Sequence, residues 1–264
     1  MKADRYHQTG RNRRVLARKR RAAQTGFTLI ELMVAIGLAL FIVAGLAFLF
    51  ANMKATFTSQ DRQAQVQDSQ RLAMTILTTT IQSAGYFVDP INNTQTGALP
   101  ATTVNNLDGT SFAASQGVSG TSGTVGPSGT SDTLNVRFQT ASGDGVMNCL
   151  GGNNPASSVS SVVWVNSFVV NASNELTCAV NGGAAVALVS NVAQMNLLYG
   201  VDTSSNGNVD TYLPASAITS ANLWVNVHSA KLTLRFVNLM DSKTGAPVTL
   251  PQPWVQTISL MNNR

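Results

Sequence analysis

The apolar residues of this chain are concentrated at one end. From Leu32 to Ala51 no charged side chain interrupts them, and the run is long enough to cross a bilayer as a helix. One carboxylate stands at its start, Glu31, five residues after Gly26. An acid in such a helix costs on the order of 2.5–3.5 kcal/mol at mid-membrane and less near an end, so its presence asks for a cationic partner. Between residues 52 and 84 there is neither proline nor glycine. Val66, Ala73, Ile76, Leu77, Ile81 and Ala84 recur there at three- and four-residue steps, which predicts one buried stripe on a continuing helix. Gln60, Asp61, Arg62, Gln65, Gln67, Asp68 and Gln70 fill its other faces. Gly85 marks the stop, with Pro90 shortly beyond.

The pattern then changes twice. Residues 92–131 are dominated by Thr, Ser, Gly, Asn and Ala with scattered single apolar residues, which predicts a long mobile loop. From Asp132 onward the period is that of strands: Leu134, Val136 and Phe138 alternate, and 161–170 is β-branched and aromatic. Strand character returns at 176–180, 186–199 and 255–260. Leu232, Leu234 and Phe236 alternate with Lys231, Thr233 and Arg235, as in a sheet with one wet face. A short helix fits only at 216–223. The expected fold class is α+β: one long amino-terminal helix, part transmembrane and part amphipathic, followed by an antiparallel β-sheet head.

Charge sharpens this division. The formal net charge is +5. Residues 1–26 carry nine Lys or Arg and one acid, and the remainder carries eight Lys or Arg against eleven Asp or Glu. The basic character therefore belongs to a leader of net +8, and the rest of the chain is net −3. Positive flanks stay in the cytoplasm, which places everything after Ala51 outside. A phosphate-tracking surface is not visible in the exported part, so no nucleic-acid partner is indicated.

Gly26-Phe27-Thr28-Leu29-Ile30-Glu31, preceded by the basic leader and followed by the apolar run, resembles the processing site of type IV prepilins and type II secretion pseudopilins. The resemblance implies that a prepilin peptidase cuts between Gly26 and Phe27 and methylates the new amine of Phe27. It further implies that Glu31 meets the amine of a neighbouring subunit during assembly. Cleavage would create the cation that a buried carboxylate needs. Later segments, Gly143-Asp144-Gly145, Cys149-Leu150-Gly151, Glu175-Leu176-Thr177-Cys178 and Leu198-Tyr199-Gly200-Val201-Asp202, are similar to the PilW type of minor pilin. The implied organisation is a cleaved basic leader (1–26), a transmembrane or filament-core helix (27–51), its amphipathic continuation (52–85), a Ser/Thr/Gly/Asn-rich loop region (86–131) and a β-rich head (132–264). The implied function is priming or supporting type IV pilus assembly. Its partners would be major and other minor pilins and a tip adhesin; it would sit in the inner membrane first and in the pilus afterwards. A J-type secretion pseudopilin, or a pilus-tip module for adhesion or DNA uptake, are the alternatives.

Cys149 and Cys178 are the only cysteines. An oxidising compartment permits a disulfide between them; metal ligation is the alternative, with His228 far along the chain and no CxxC. Asp202, Ser204, Asn206, Asn208 and Asp210, with Gly207 in the sixth place, resemble a calcium loop. Leu213 stands where a bidentate glutamate belongs, and Asn206-Gly207 equally marks a turn between strands. No other cofactor is indicated. An enzyme is not expected: His228 is the one histidine after the leader and no GxSxG, HExxH or phosphate-binding loop accompanies it.

Overall fold

A computed structural model describes residues 26–102, 106–126, 129–157, 160–239 and 252–261. The basic leader before Gly26 lies outside them. The first element, α1, is the helix Leu29–Gln82, two residues shorter at each end than the pattern predicts. The chain divides between Ala55 and Thr56 into two units. In the first, every residue of the helix is exposed, including Phe41 at 80 % and Phe50 at 72 %. A surface of that kind is unstable in water unless lipid or another protein covers it, and by length and composition the helix qualifies as a membrane span.

In the second unit α1 has a buried face. Val66, Ala73, Met74, Leu77, Thr80 and Ile81 are buried, and all but Thr80 join the core of the head. The predicted stripe is there with three differences: Met74 and Thr80 are added, and Ile76 is only partly buried. The helix closes at Gly85, whose φ of +75° is the left-handed region that glycine adopts without strain. The Gly85 amide donates to the carbonyl of Arg137 at 2.9 Å. Gly117 passes so close to that corner that any side chain on it would strike the Gly85 backbone.

Beyond it follow a single turn α2 (Gln95–Ala98) and strands β1 (Val118–Ser119), β2 (Thr124–Gly126), β3 (Gly129–Ser131), β4 (Leu134–Thr140), β5 (Val162–Val170), β6 (Glu175–Val180), β7 (Val186–Ser190), β8 (Val192–Val201) and β9 (Thr211–Leu213). Helix α3 (Ala215–Ala221), β10 (Val227–Phe236) and β11 (Trp254–Ser259) complete the head. One sheet has the order β1-β4-β5-β6-β7, a second β11-β10-β8-β9, and β2 and β3 form a small ribbon. Every pairing is antiparallel. The inward residues Leu134, Phe168, Leu176, Met195, Tyr199, Leu232 and Leu234 are fully buried and make one core with the helix face.

The expectation of a mobile loop over 92–131 is not what the described residues show. Leu99 and Phe112 are buried, and β1 adds to the first sheet. The cause is the other face of β4, where Asn135 and Arg137 are each 1 % exposed. Arg137 donates from Nε and Nη2 to the carbonyl of Gln116, from Nη2 to those of Ala113 and Leu99, and from Nη1 to that of Pro100. Its guanidinium carbon lies 4.8 Å from the centroid of the Phe112 ring, a cation–π contact. Burial pulls its pKa down to about 10, which leaves it charged at neutral pH. Asp108 works in the same way: it accepts from the Thr110 amide and hydroxyl, the Thr133 hydroxyl and the Asn135 amide group. A segment too polar to bury itself is thus tied down by one cation and one carboxylate.

Replacing Arg137 by Ala removes a charged donor shared by four carbonyls; those of Leu99 and Ala113 keep the amides of Ser115 and Gln116, while that of Gln116 loses both bonds from the guanidinium. With hydrogen bonds from a charged donor at about 1.5–3 kcal/mol each, discounted for relaxation, the loss should be about 3–5 kcal/mol. Urea unfolding of the intact chain in detergent measures it, and amide exchange in 99–117 should accelerate first.

Candidate functional site

Two places carry the residues singled out by the sequence. The first is the start of α1. The Thr28 carbonyl accepts from the Leu32 amide at 3.1 Å and its hydroxyl from the Glu31 amide at 3.3 Å, so Thr28 caps the helix. Phe27 therefore lies just outside the helix and Glu31 in its first turn. Thr28 and Glu31 have the spacing of a capping box, a signal present in the sequence that the reading of the motif did not use. The acid is well placed locally, because a helix amino terminus favours negative charge. Phe27 is 83 % exposed, and among the described residues beyond its chain neighbours no atom lies within 4 Å of the position a Gly26 side chain would take.

The second place is the head. Cys149 and Cys178 are joined in a disulfide with Cα atoms 6.4 Å apart. Cys178 is fully buried in β6, and Cys149 sits in a tight loop. That loop is shaped by its own short polar residues. Asp144 accepts from the amides of Ala141 and Val146, and Asn148 from those of Leu150 and Gly152. The Cys149 amide donates to the Asn166 side chain at 2.8 Å. The bridge thus pins an irregular loop to the sheet. Between this loop and α1 runs a groove of about 830 Å³ lined by Ile76, Thr79, Thr80, Tyr86, Met147 and Met261, among others. The hydroxyls of Thr75, Thr79, Thr80 and Ser83 donate to carbonyls one turn earlier on the helix.

The segment from Asp202 to Asp210 joins β8 to β9, which pair antiparallel. Asp202 accepts from the amides of Ser204, Asn206 and Gly207, the last at 2.6 Å. Asp210 accepts from the Thr203 amide and hydroxyl and the Ser204 amide. Ser204 and Asn206 also serve the turn, the former donating its hydroxyl to Asp202 and the latter accepting from the Asn208 amide. A calcium ion would have to compete with those amides for both carboxylates. Leu213 lies in β9, and no group of three or more His, Cys, Asp or Glu fit for a metal occurs among the described residues. The arrangement fits the turn between strands better than the cation cage. His228 Nε2 stands 3.9 Å from Asp202 Oδ2, an ion pair when the imidazole is protonated.

Both carboxylates are held below their ordinary range. At Asp202 burial pushes the pKa up, and the amides of Gly207, Asn206, Ser205 and Ser204 together more than reverse that push. At Asp210 the Thr203 hydroxyl leads, followed by Ser204. A depressed carboxylate stabilises the fold fully above its unfolded value, near 4, and loses that contribution as pH falls through the lower folded value. The turn should therefore stay closed at pH 5–8 and open only below about pH 4. Asp202→Ala should open it at every pH. Amide chemical shifts and exchange of Ser204 and Gly207 report both.

A capped apolar helix with one acid in its first turn, leading into an antiparallel head, defines a pilin-like protein. Comparison with known families agrees. Residues 21–47 match the prokaryotic N-terminal methylation motif, and residues 165–250 match Type IV Pilus-assembly protein W. Together the two matches support a type IV pilin-like protein of the PilW type, a minor pilin related to the type IV pilus. The methylation motif implies processing by prepilin peptidase and pilins as partners. No curated protein and no solved structure matches the chain.

Proposed function

We propose that this minor pilin primes and supports pilus assembly, near the tip, with other minor pilins and a tip adhesin. Its chemistry is a single charge pairing. Prepilin peptidase cuts between Gly26 and Phe27, the amine of Phe27 is methylated, and Glu31 of one subunit neutralises the amine of the next inside an apolar filament core. The head lies in the periplasm before assembly and at the cell surface after it. The observation that carries this reading is Glu31 itself, an acid one turn into a helix with no other charge until Lys54. A carboxylate left alone in such surroundings is costly, and a terminal ammonium is the counter-ion that the processing motif supplies.

Gly26→Ala should leave a membrane-held precursor that still carries its leader; mass spectrometry showing the normal mature start would remove this cleavage site. Glu31→Ala should be cut normally yet enter filaments poorly. Pilus counts and immunodetection of the protein in sheared pili measure the second effect, and unchanged incorporation would remove the proposed pairing.

A further inference from the structure

The head's second sheet has one face in the core and one that no described element fully covers. On the uncovered face the cross-strand neighbours are Lys231 with Leu198 and Thr257, Thr233 with Asn196 and Val255, and Arg235 with Gln194. Directly paired residues point to the same side of a sheet. Lys231, Leu198, Val255 and Thr257 are exposed, and Thr233, Asn196 and Arg235 are half-buried.

The charge on this face is unlike that of its surroundings. From Thr56 on, the described cations are Arg62, Arg71, Arg137, Lys231 and Arg235. Arg62 and Arg71 belong to α1 and Arg137 is buried beneath the 99–117 segment. All the cationic charge that the described strands present to solvent is therefore on β10, on one face. Neither Lys231 nor Arg235 has an ion-pair partner among the described residues, where the ion pair found is His228 with Asp202. A shallow groove of about 380 Å³ lies over them, lined also by Ser122, Asn196, Leu198 and Pro214. Asp132 reaches its rim but is 7 % exposed, and its two oxygens accept from the amides of Gly123 and Leu197.

We propose that this face is a docking surface for an extended, acidic segment of a partner protein. Lys231 and Arg235 are four residues apart on one strand, about 13 Å. An extended peptide places side chains of one face at intervals of about 6.6 Å, so carboxylates four residues apart meet both cations. Between them Thr233 offers its hydroxyl to the peptide backbone, and Asn196, whose amide nitrogen donates to the Thr130 carbonyl at 3.3 Å, offers its amide oxygen. Leu198 and Val255, 39 % and 47 % exposed beside the cations, suit the apolar residues of such a segment. A uniformly charged polymer would leave them uncovered, which favours a polypeptide over a polysaccharide or nucleic acid. The surface is independent of the Phe27–Glu31 pairing, which involves the other end of the chain.

The test uses the full chain in detergent and a fluorescent peptide repeating Glu-Ser-Val-Ser, which places acids four residues apart with a valine between them on one face, with its Lys-for-Glu analogue, heparin and single-stranded DNA as competitors. The acidic peptide should bind at low salt, weaken as salt shortens the screening length, and weaken about tenfold in the Lys231→Gln/Arg235→Gln double variant. Arg71→Gln, which removes an exposed cation from α1, should leave binding unchanged. Far-UV circular dichroism and non-reducing migration confirm that each variant is folded with its disulfide. No binding of the acidic peptide, equal binding of the basic one, or an unaltered affinity in the double variant overturns the proposal. Heparin or DNA binding more tightly than the peptide overturns it in favour of a polyanion site.

Discussion

The molecule is governed by an apolar helical segment, Leu29 to Phe57, that no other described residue covers. Leu29 to Phe57 holds leucines, isoleucines, phenylalanines and methionines that are more than half exposed. At about 25 cal/mol for each Å² of apolar surface, leaving such a rod in water is prohibitive. The chain is therefore incomplete as an isolated object: lipid or neighbouring helices must finish it. Within that constraint, on the proposed reading, a single ionisable group near the helix start has an influence out of proportion to its size, since a charge is what can make an oily interface selective.

The head solves a different problem, that of ordering a polar sequence. A stretch rich in Ser, Thr, Gly and Asn offers little apolar surface, and the ordering entropy of each residue, about 1–2 kcal/mol for the backbone, has to be met by other means. Arg137 and Asp108 meet it from below, gathering carbonyls on one side and hydroxyls and amides on the other. The disulfide does the same for the Asp144–Gly152 loop, whose Asx turns shape it but whose attachment to β6 is covalent. Hydrogen bonds to a charged partner are stronger than neutral ones, which is why two ionic side chains suffice for so long a segment.

Much of this could be read before any coordinates. Period decides it for α1, β4 and β10, because a stripe at three and four steps or an alternation at two leaves little choice of element, and β-branched and aromatic content marks β5. The stretch 186–199 was harder: it reads as one strand and is two, β7 and β8, turned at Asn191, whose φ of +65° is one that asparagine tolerates. The ordering of 92–131 could not be seen, since its anchor is an arginine in a strand more than twenty residues beyond the carbonyls it holds. An isolated Arg among alternating apolar residues looks like a wet-face residue until something covers that face. The Asp202–Asp210 segment showed the converse limit, for oxygens at alternating positions are written identically whether they face a cation or their own amides.

The threonines on the upper part of α1 have a consequence of their own. With their hydroxyls turned back onto the preceding turn, Thr79 and Thr80 offer methyl groups to the groove beside Met147 and Met261. Hydropathy scales score those positions as polar, while a visiting molecule meets hydrocarbon. The greasy part of this helix therefore extends past the point where composition says it ends, and a span counted by residue type understates how much of the rod prefers company to water.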